Sequence, residues 1–342
     1  MAAATRRTAR TMVPEQAPEP RPDRDSLSQA ILGEEPIHSA FEVADETGVT
    51  IEELRRLWRA LGFPEAGTEV AFTRSDADAV STLTSIVEAG AIDFDMAVML
   101  TRAVGQTMAR LADWEVATLV NRVEELERGD EATGSRAGSA LRLLDEVNEP
   151  FEQLLIYAWR RHLAAAVARV QALGASEADL HTTQLTVGFA DIVGFTTLSN
   201  EVSRSRLGEI VETFESRCAD VVASRRGRVI KSIGDSVLFV NDDPIAAYDT
   251  AEGIINVIGR DHRLPEVRVG LASGAVEMRL GDVFGPPVNM ASRLTGVARR
   301  NRIIIDQETA DLLPDDQFET RRLPARPVRG FGLVEPLTVR RH

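Results

Sequence analysis

The sequence has a single cysteine, Cys218, in 342 residues, which excludes an intramolecular disulfide, and no Cys/His cluster has the spacing of a structural zinc site. Nowhere do about 18 uncharged apolar residues run together, and the arginine-bearing N-terminus has no apolar signal-peptide core, so neither a membrane span nor secretion is expected. The chain reads as soluble and cytoplasmic. Aromatics are scarce, with 3 Trp, 2 Tyr and 12 Phe. Packing therefore falls to Leu, Val, Ile and Ala, for which a 44% hydrophobic content suffices. Positive charge is in deficit: 39 Lys and Arg against 53 Asp and Glu leave a net charge of −14. That excludes a general phosphate-backbone binder, and no nucleic-acid partner is expected.

What is present divides the chain. Residues 1–25 carry Pro14, Pro18, Pro20 and Pro22 with several arginines, the composition of a solvated tail. Residues 26–150 read as helical throughout, with breaks at Gly62-Phe63-Pro64 and Glu131 to Ser135 and no alternating strand pattern. In residues 151–174, Phe151, Leu154, Leu155, Trp159, Ala166, Val170 and Leu173 recur at three- and four-residue steps, which predicts an amphipathic connecting helix. After Gly174 come Val/Ile-rich runs, QLTVGFADI (184–192), GRVIKSIGDSVLFV (227–240), EVRVGLASGAV (266–276) and NRIIID (301–306), separated by helical stretches. Residues 175–342 thus read as an α+β or α/β domain, with Cys218 a packing residue on a helix.

Three blocks of that domain carry chemistry. Asp191 ends a strand, and Gly194 turns the chain into a helix capped by Thr196 or Thr197, setting a carboxylate beside free N–H groups. Forty-four residues later, a strand–Ser-Ile-Gly-Asp–strand hairpin puts Asp235 at its tip; if its strands neighbour the first, the two carboxylates form a site for Mg2+ or Mn2+. In the third block, Gly281 to Pro287 reads as a loop and Val288 onward as a helix with Asn289 and Arg293 on one face, able to hold a triphosphate. Singly, each block has a plainer reading: a cap, a turn, a solvated helix face.

Together, FADIVGFT (189–196), K-S-I-G-D (231–235) and G-D-x-F-G-x-x-V-N-x-A-S-R-L (281–294) resemble the catalytic domain of class III nucleotidyl cyclases. The resemblance runs from about residue 183 to the C-terminus. It implies a ferredoxin-like βαββαβ core with added strands, preceded here by an all-α regulatory domain, and a head-to-tail homodimer with shared active sites. It implies two divalent ions, Mg2+ or Mn2+, on Asp191, Asp235 and the backbone of Ile192, with Phe195 and Thr196 at the phosphates. Lys231 and Asp282 of the other subunit would read the base, Asn289 would orient the ribose and Arg293 would stabilise the transition state. Where the family has a phosphate-binding lysine near the C-terminus, this chain offers Arg329. Adenine presents an acceptor at N1 and a donor at its 6-amino group, matching a lysine and a carboxylate, whereas guanine reverses both. ATP is the expected substrate, and 3′,5′-cyclic AMP and pyrophosphate the products. A diguanylate cyclase is not expected, because Ser232-Ile-Gly-Asp-Ser236 is not a GGDEF-type hairpin.

The N-terminal half is similar to the helical regulatory domain of some actinobacterial adenylyl cyclases, chiefly through FEVADETGVTIEELRRLWRALGF (41–63). That resemblance implies restraint of the cyclase, relieved by acid pH or a fatty acid effector. His162 on the connecting helix and His181 at the entry to the catalytic domain are candidate pH-sensing groups. The same 41–63 segment also reads as a helix-turn-helix about Gly48, with Arg55, Arg56 and Arg59 facing phosphates. That alternative is a DNA-binding regulator with a nucleotide-sensing cyclase-like domain, although Glu46, Glu52 and Glu53 share the segment.

Overall fold

The structure is a computed structural model that describes residues 24–129, 132–172, 182–279 and 281–342. The expected tail falls almost wholly outside the described residues, and His181 falls outside them. The chain divides into two compact units, Met1–Ala166 and Val167–His342.

The first unit contains α1 (Arg24–Leu32), β1 (His38–Ser39), α2 (Ala40–Thr47), α3 (Ile51–Leu61), β2 (Val70–Phe72), α4 (Arg74–Glu88) and α5 (Phe94–Arg128), and most of α6 (Arg136–Ala172). Ser39, Thr50 and Thr73 begin α2, α3 and α4, each in a reciprocal capping box with Glu42, Glu53 or Asp76. Hydrogen bonds from the backbone and hydroxyl of Ser39 and of Thr50 hold the Glu42 and Glu53 carboxyls below the usual range. Val43, Leu54, Leu57, Phe72, Val80 and Val98 form the core.

Two features differ from the sequence reading. A short antiparallel pair, β1 with β2, interrupts the helices; strands of two and three residues are too short to show an alternation. The helix expected over 151–174 starts at Arg136 and runs through Pro150 without ending, because a helix that gains packing or length elsewhere absorbs the loss of one N–H.

The second unit contains β3 (Thr182–Ile192), α7 (Phe195–Glu201), α8 (Arg204–Ser224), β4 (Arg228–Ile233), β5 (Ser236–Asn241), α9 (Pro244–Arg260), β6 (Val267–Arg279), β7 (Asp282–Phe284) and α10 (Pro286–Val297). After these come β8 (Ile303–Ile305), α11 (Gln307–Leu312), β9 (Phe318–Arg322), β10 (Arg326–Val328), β11 (Gly332–Val334) and β12 (Leu337–Arg341). Among the described residues the main sheet has the order β4-β5-β3-β6-β8-β12-β9, with β7 paired to β6. The first four strands, with α8 and α9 as crossovers, are the expected βαββαβ core in antiparallel order.

Both faces of this sheet are covered, which is why the β3 run from Leu185 to Ile192 is buried without alternation. On one face Phe214 and Cys218 of α8 and Ile254 and Ile258 of α9 pack with Ile192, Phe239 and Leu271. On the other, Ala291 and Leu294 of α10 pack with Val187, Leu238 and Ala272. Cys218 is fully buried, and burial pushes its thiol up, so it stays an uncharged packing group. Helix α10 lies directly on β6 at Gly270, where a Cβ would come within 2.4 Å of the Thr295 nitrogen and 2.5 Å of the Ala291 carbonyl oxygen. That close approach sets which face of α10 is left free for Asn289 and Arg293. Gly270→Ala is expected to lower the unfolding free energy by about 1–3 kcal/mol, read as an earlier urea midpoint; an unshifted midpoint would mean that α10 is not seated there.

Candidate active site

Asp191 sits at the end of β3, with Ser236 of β5 as its register partner on one side and Arg268 of β6 on the other. The Ser236 hydroxyl donates to Asp191 Oδ1 at 2.5 Å, and Arg268 Nε and Nη2 donate to Oδ2 at 2.7 and 2.6 Å. Asp235 lies in the two-residue turn between β4 and β5, its carbonyl accepting from the Ile192 N–H at 3.1 Å. Burial, and then the charge of Asp191, push the Asp235 carboxyl up, with Arg268 opposing. Two carboxylates are thus held together against their own repulsion, the donor chemistry of a divalent-cation site. Among the described residues no group of three or more His, Cys, Asp or Glu side chains gathers for a metal. A cation here would complete its shell with water and phosphate oxygens, as Mg2+ commonly does, and the residues present fit it.

Arg268 was not singled out in the sequence. The signal was there: a guanidinium between Val267 and Val269 in a buried strand needs a carboxylate partner. Phe195 and Thr196 occupy the first turn of α7, but the expected threonine cap is not formed. Gly194 is the N-cap, without a side-chain hydrogen bond, and Thr196 and Thr197 lie inside the helix. The left-handed conformation of Gly194, φ 72°, starts the helix one residue before either hydroxyl can cap it.

Lys231 and Asp282 meet as an ion pair, both half-buried. Two local devices aim them. The β4–β5 register shifts between Val229 and Lys231, a bulge that redirects the lysine, and the Val283 N–H donates to Asp282 Oδ1 at 2.9 Å. Asp282 belongs to strand β7 rather than to a loop. Pro286 and Pro287 likewise are the first turn of α10 rather than loop residues, because a residue without an N–H loses nothing where a helix has no acceptor to offer. Asn289 and Arg293, one turn apart on α10, line a pocket of about 440 Å³ with Gly285, Pro286, Arg329 and Phe331. Among the described residues no carboxylate pairs with Arg293 or Arg329. The pocket thus holds an amide and two uncommitted guanidiniums, the equipment for binding a polyanion.

Comparison with known proteins follows this geometry. Residues 179–339 match the adenylate and guanylate cyclase catalytic domain, and residues 19–131 the adenylate cyclase regulatory domain. An adenylate cyclase of Streptomyces coelicolor is 37% identical, over 93% of this chain and 92% of the relative. The chain belongs to the adenylate and guanylate cyclase family. Another similar cyclase is that of Glutamicibacter nicotianae, at 35% identity over 91% of this chain and 80% of the relative. A pH-sensitive adenylate cyclase of Mycobacterium tuberculosis is 32% identical over 89% and 78%. The crystallised catalytic core of a rhodopsin-guanylyl cyclase with converted specificity, in complex with ATPαS, covers 47% of this chain and 98% of that core at 26% identity and a TM-score of 0.45.

In this cyclase the helix-turn-helix alternative finds no support. Arg55, Arg56 and Arg59 lie 3.1, 2.6 and 3.4 Å from carboxylate oxygens of Glu52, Asp95 and Glu65, so the cations expected to face phosphates are already engaged. His162 is exposed on α6. Among the described residues no helix is long and apolar enough to cross a membrane. Because the Arg268 guanidinium already pairs with Asp191 Oδ2, a cation on this carboxylate would compete with it, and Arg268→Ala is expected to tighten nucleotide-free Mn2+ binding several-fold. The loss of the free-ion Mn2+ signal in electron paramagnetic resonance reads this directly, and an unchanged affinity would show that the guanidinium does not compete.

Proposed function

We propose that this cyclase converts ATP to 3′,5′-cyclic AMP and pyrophosphate at sites shared between two copies of the chain. The observation that carries the substrate is the Lys231–Asp282 pair: a donor within β4 and an acceptor at the start of β7, side by side and half-buried. Adenine offers N1 and its 6-amino group to such a pair, whereas guanine would set a donor against the lysine and an acceptor against the carboxylate. The names of the relatives support the same reading. Asp191 and Asp235, with the Ile192 backbone, would hold two divalent ions, which supply charge neutralisation of the triphosphate and a more acidic 3′-hydroxyl. The ribose 3′-oxygen forms a bond to the α-phosphorus, its proton leaves, and the bond from that phosphorus to pyrophosphate breaks.

The protein's own part is orientation and charge. Asn289 orients the ribose, Arg293 meets the charge that grows at the α-phosphate, and Arg329 holds the terminal phosphates in the lysine's stead. The N–H groups about Phe195 and Thr196 lie beside the Asp191 end of the sheet and contribute to phosphate binding there. In the dimer, the carboxylates of one subunit complete a site with Lys231, Asp282, Asn289 and Arg293 of the other. Exposed apolar side chains recur along α5 at Met96, Leu100, Val104 and Met108, and along α6 at Ile156, Trp159, Leu163 and Val167. Such stripes mark association surfaces, and a second copy is the occupant that a shared site requires. The N-terminal half restrains the catalytic half, with relief by acid pH or a fatty acid; the pH-sensitive relative supports the former, and His162 is a candidate sensor.

Cyclic AMP formation from Mn2+-ATP by the full chain tests the activity. Asp191→Ala is expected to abolish turnover, and Asp191→Asn, whose amide oxygen still accepts from Arg268, is expected to do so with the fold intact; near-normal rates in either would refute the carboxylate assignment. Mixing and reassociating inactive Asp191→Ala with inactive Arg293→Ala is expected to restore about a quarter of wild-type activity, since half the dimers then carry one intact site of two. No recovery would argue against sharing. Lys231→Glu with Asp282→Cys is expected to shift preference from ATP toward GTP in a competition assay, and no shift would remove the base-reading roles.

A further inference from the structure

Residues 326–334 form a hairpin of their own. β10 and β11 pair with each other, Arg326 with Val334, Pro327 with Leu333 and Val328 with Gly332, and among the described residues with no strand of the main sheet. The tip is Arg329-Gly330-Phe331, closed by the Phe331 N–H donating to the Val328 carbonyl at 2.9 Å. Gly330 and Gly332 have φ of +89° and +73°, and a Cβ at either would meet nothing within 4 Å. Conformation rather than crowding requires glycine at both, so the tip has one sharply defined shape.

A defined shape is not a defined position. The root of the hairpin is anchored by the β9–β12 ladder, where Leu337 pairs with Arg322 and the Leu323 N–H donates to the Pro336 carbonyl at 2.8 Å, but among the described residues no ladder reaches the tip, so side chains must seat the tip. Arg326, Pro327 and Leu333 are exposed, whereas Val328 is buried and Phe331 half-buried. Phe331 and Pro286 line two spaces at once: the pocket of about 440 Å³ that holds Asn289, Arg293 and Arg329, and an adjoining cleft of about 680 Å³ bounded by Gly274, Pro287, Met290 and Leu333. Phe331 and Pro286 therefore lie between the two. Arg329, exposed and without a carboxylate partner among the described residues, has no tether of its own.

We infer that Phe331 is a positioning residue for the cyclase reaction, holding the hairpin tip against the Pro286 end of α10 so that Arg329 faces Asn289 and Arg293. This rests on the phosphate-binding role proposed for Arg329. Truncating the ring merges the pocket with the cleft and lets the tip move, and a shift of about an ångström in a charge-bearing group is enough to cost tenfold or more. The base-reading pair lies elsewhere and is untouched, so ATP-over-GTP preference stays as it was.

The test is a double-mutant cycle on the full chain with Mn2+-ATP, measuring kcat and KM separately together with inhibition by pyrophosphate. Phe331→Ala is expected to lower kcat/KM about tenfold, chiefly by raising KM, and to weaken pyrophosphate inhibition in step. In an Arg329→Ala background the same substitution should cost little more, and Phe331→Leu, which keeps an apolar wedge, should recover most of the loss. Equal cost of Phe331→Ala in both backgrounds, with Arg329→Ala itself impaired, overturns the inference and leaves the role of Arg329 standing. Wild-type activity of Arg329→Ala overturns that role, and the inference with it. Should Phe331→Ala fail to fold, Phe331→Val in the same cycle decides between these outcomes.

Discussion

The antiparallel register of β3 between β5 and β6 is the constraint on which the rest of the catalytic unit depends. It places Ser236, Asp191 and Arg268 in one row across three strands, so that a hydroxyl, a carboxylate and a guanidinium meet at the same sheet end. Because side chains alternate with a period of two, a slip of one residue would turn Asp191 to the opposite face and exchange the two core faces. Ile192 would then leave the α8–α9 side and Val187 the α10 side. The site and the core are therefore specified by the same pairing.

Charge is distributed over this frame in an unusual way. At the Asp191 end two carboxylates are crowded, with one guanidinium as the compensating charge. Along α10 and the β10–β11 hairpin two guanidiniums stand open beside an amide. Neither arrangement is at an electrostatic minimum by itself. In the proposed shared site each would be completed by what the other lacks, or by a polyanion with its counter-cations. Lys231 and Asp282 satisfy each other instead, so in the proposed base-reading role they would exchange one paired state for another rather than bury a bare charge.

Much of this was legible in the chain. The hairpin about Gly234-Asp235, the strand ending at Asp191 and the helical face of Asn289 and Arg293 all follow from residue periodicity and turn chemistry, and Lys231 meets Asp282 as the motif order implies. What escaped was set by longer-range packing. Pro286 and Pro287 look like loop breakers but serve as a helix start. Thr196 looks like a cap but follows a glycine that caps first. Pro150 looks like a boundary but lies inside α6.

By itself the sequence determined the change from a helical half to a strand-bearing half, because helix and strand periods are local properties, while the βαββαβ order came from the resemblance of three motifs to the cyclase catalytic domain. Only the tertiary structure decided that Arg268 holds Asp191, that Gly270 seats α10, and that Arg329 comes to the pocket of Asn289 and Arg293 on a hairpin outside the main sheet. These contacts join residues from 21 to 77 positions apart, and such pairings are fixed by register and close packing across the sheet, which no local pattern encodes.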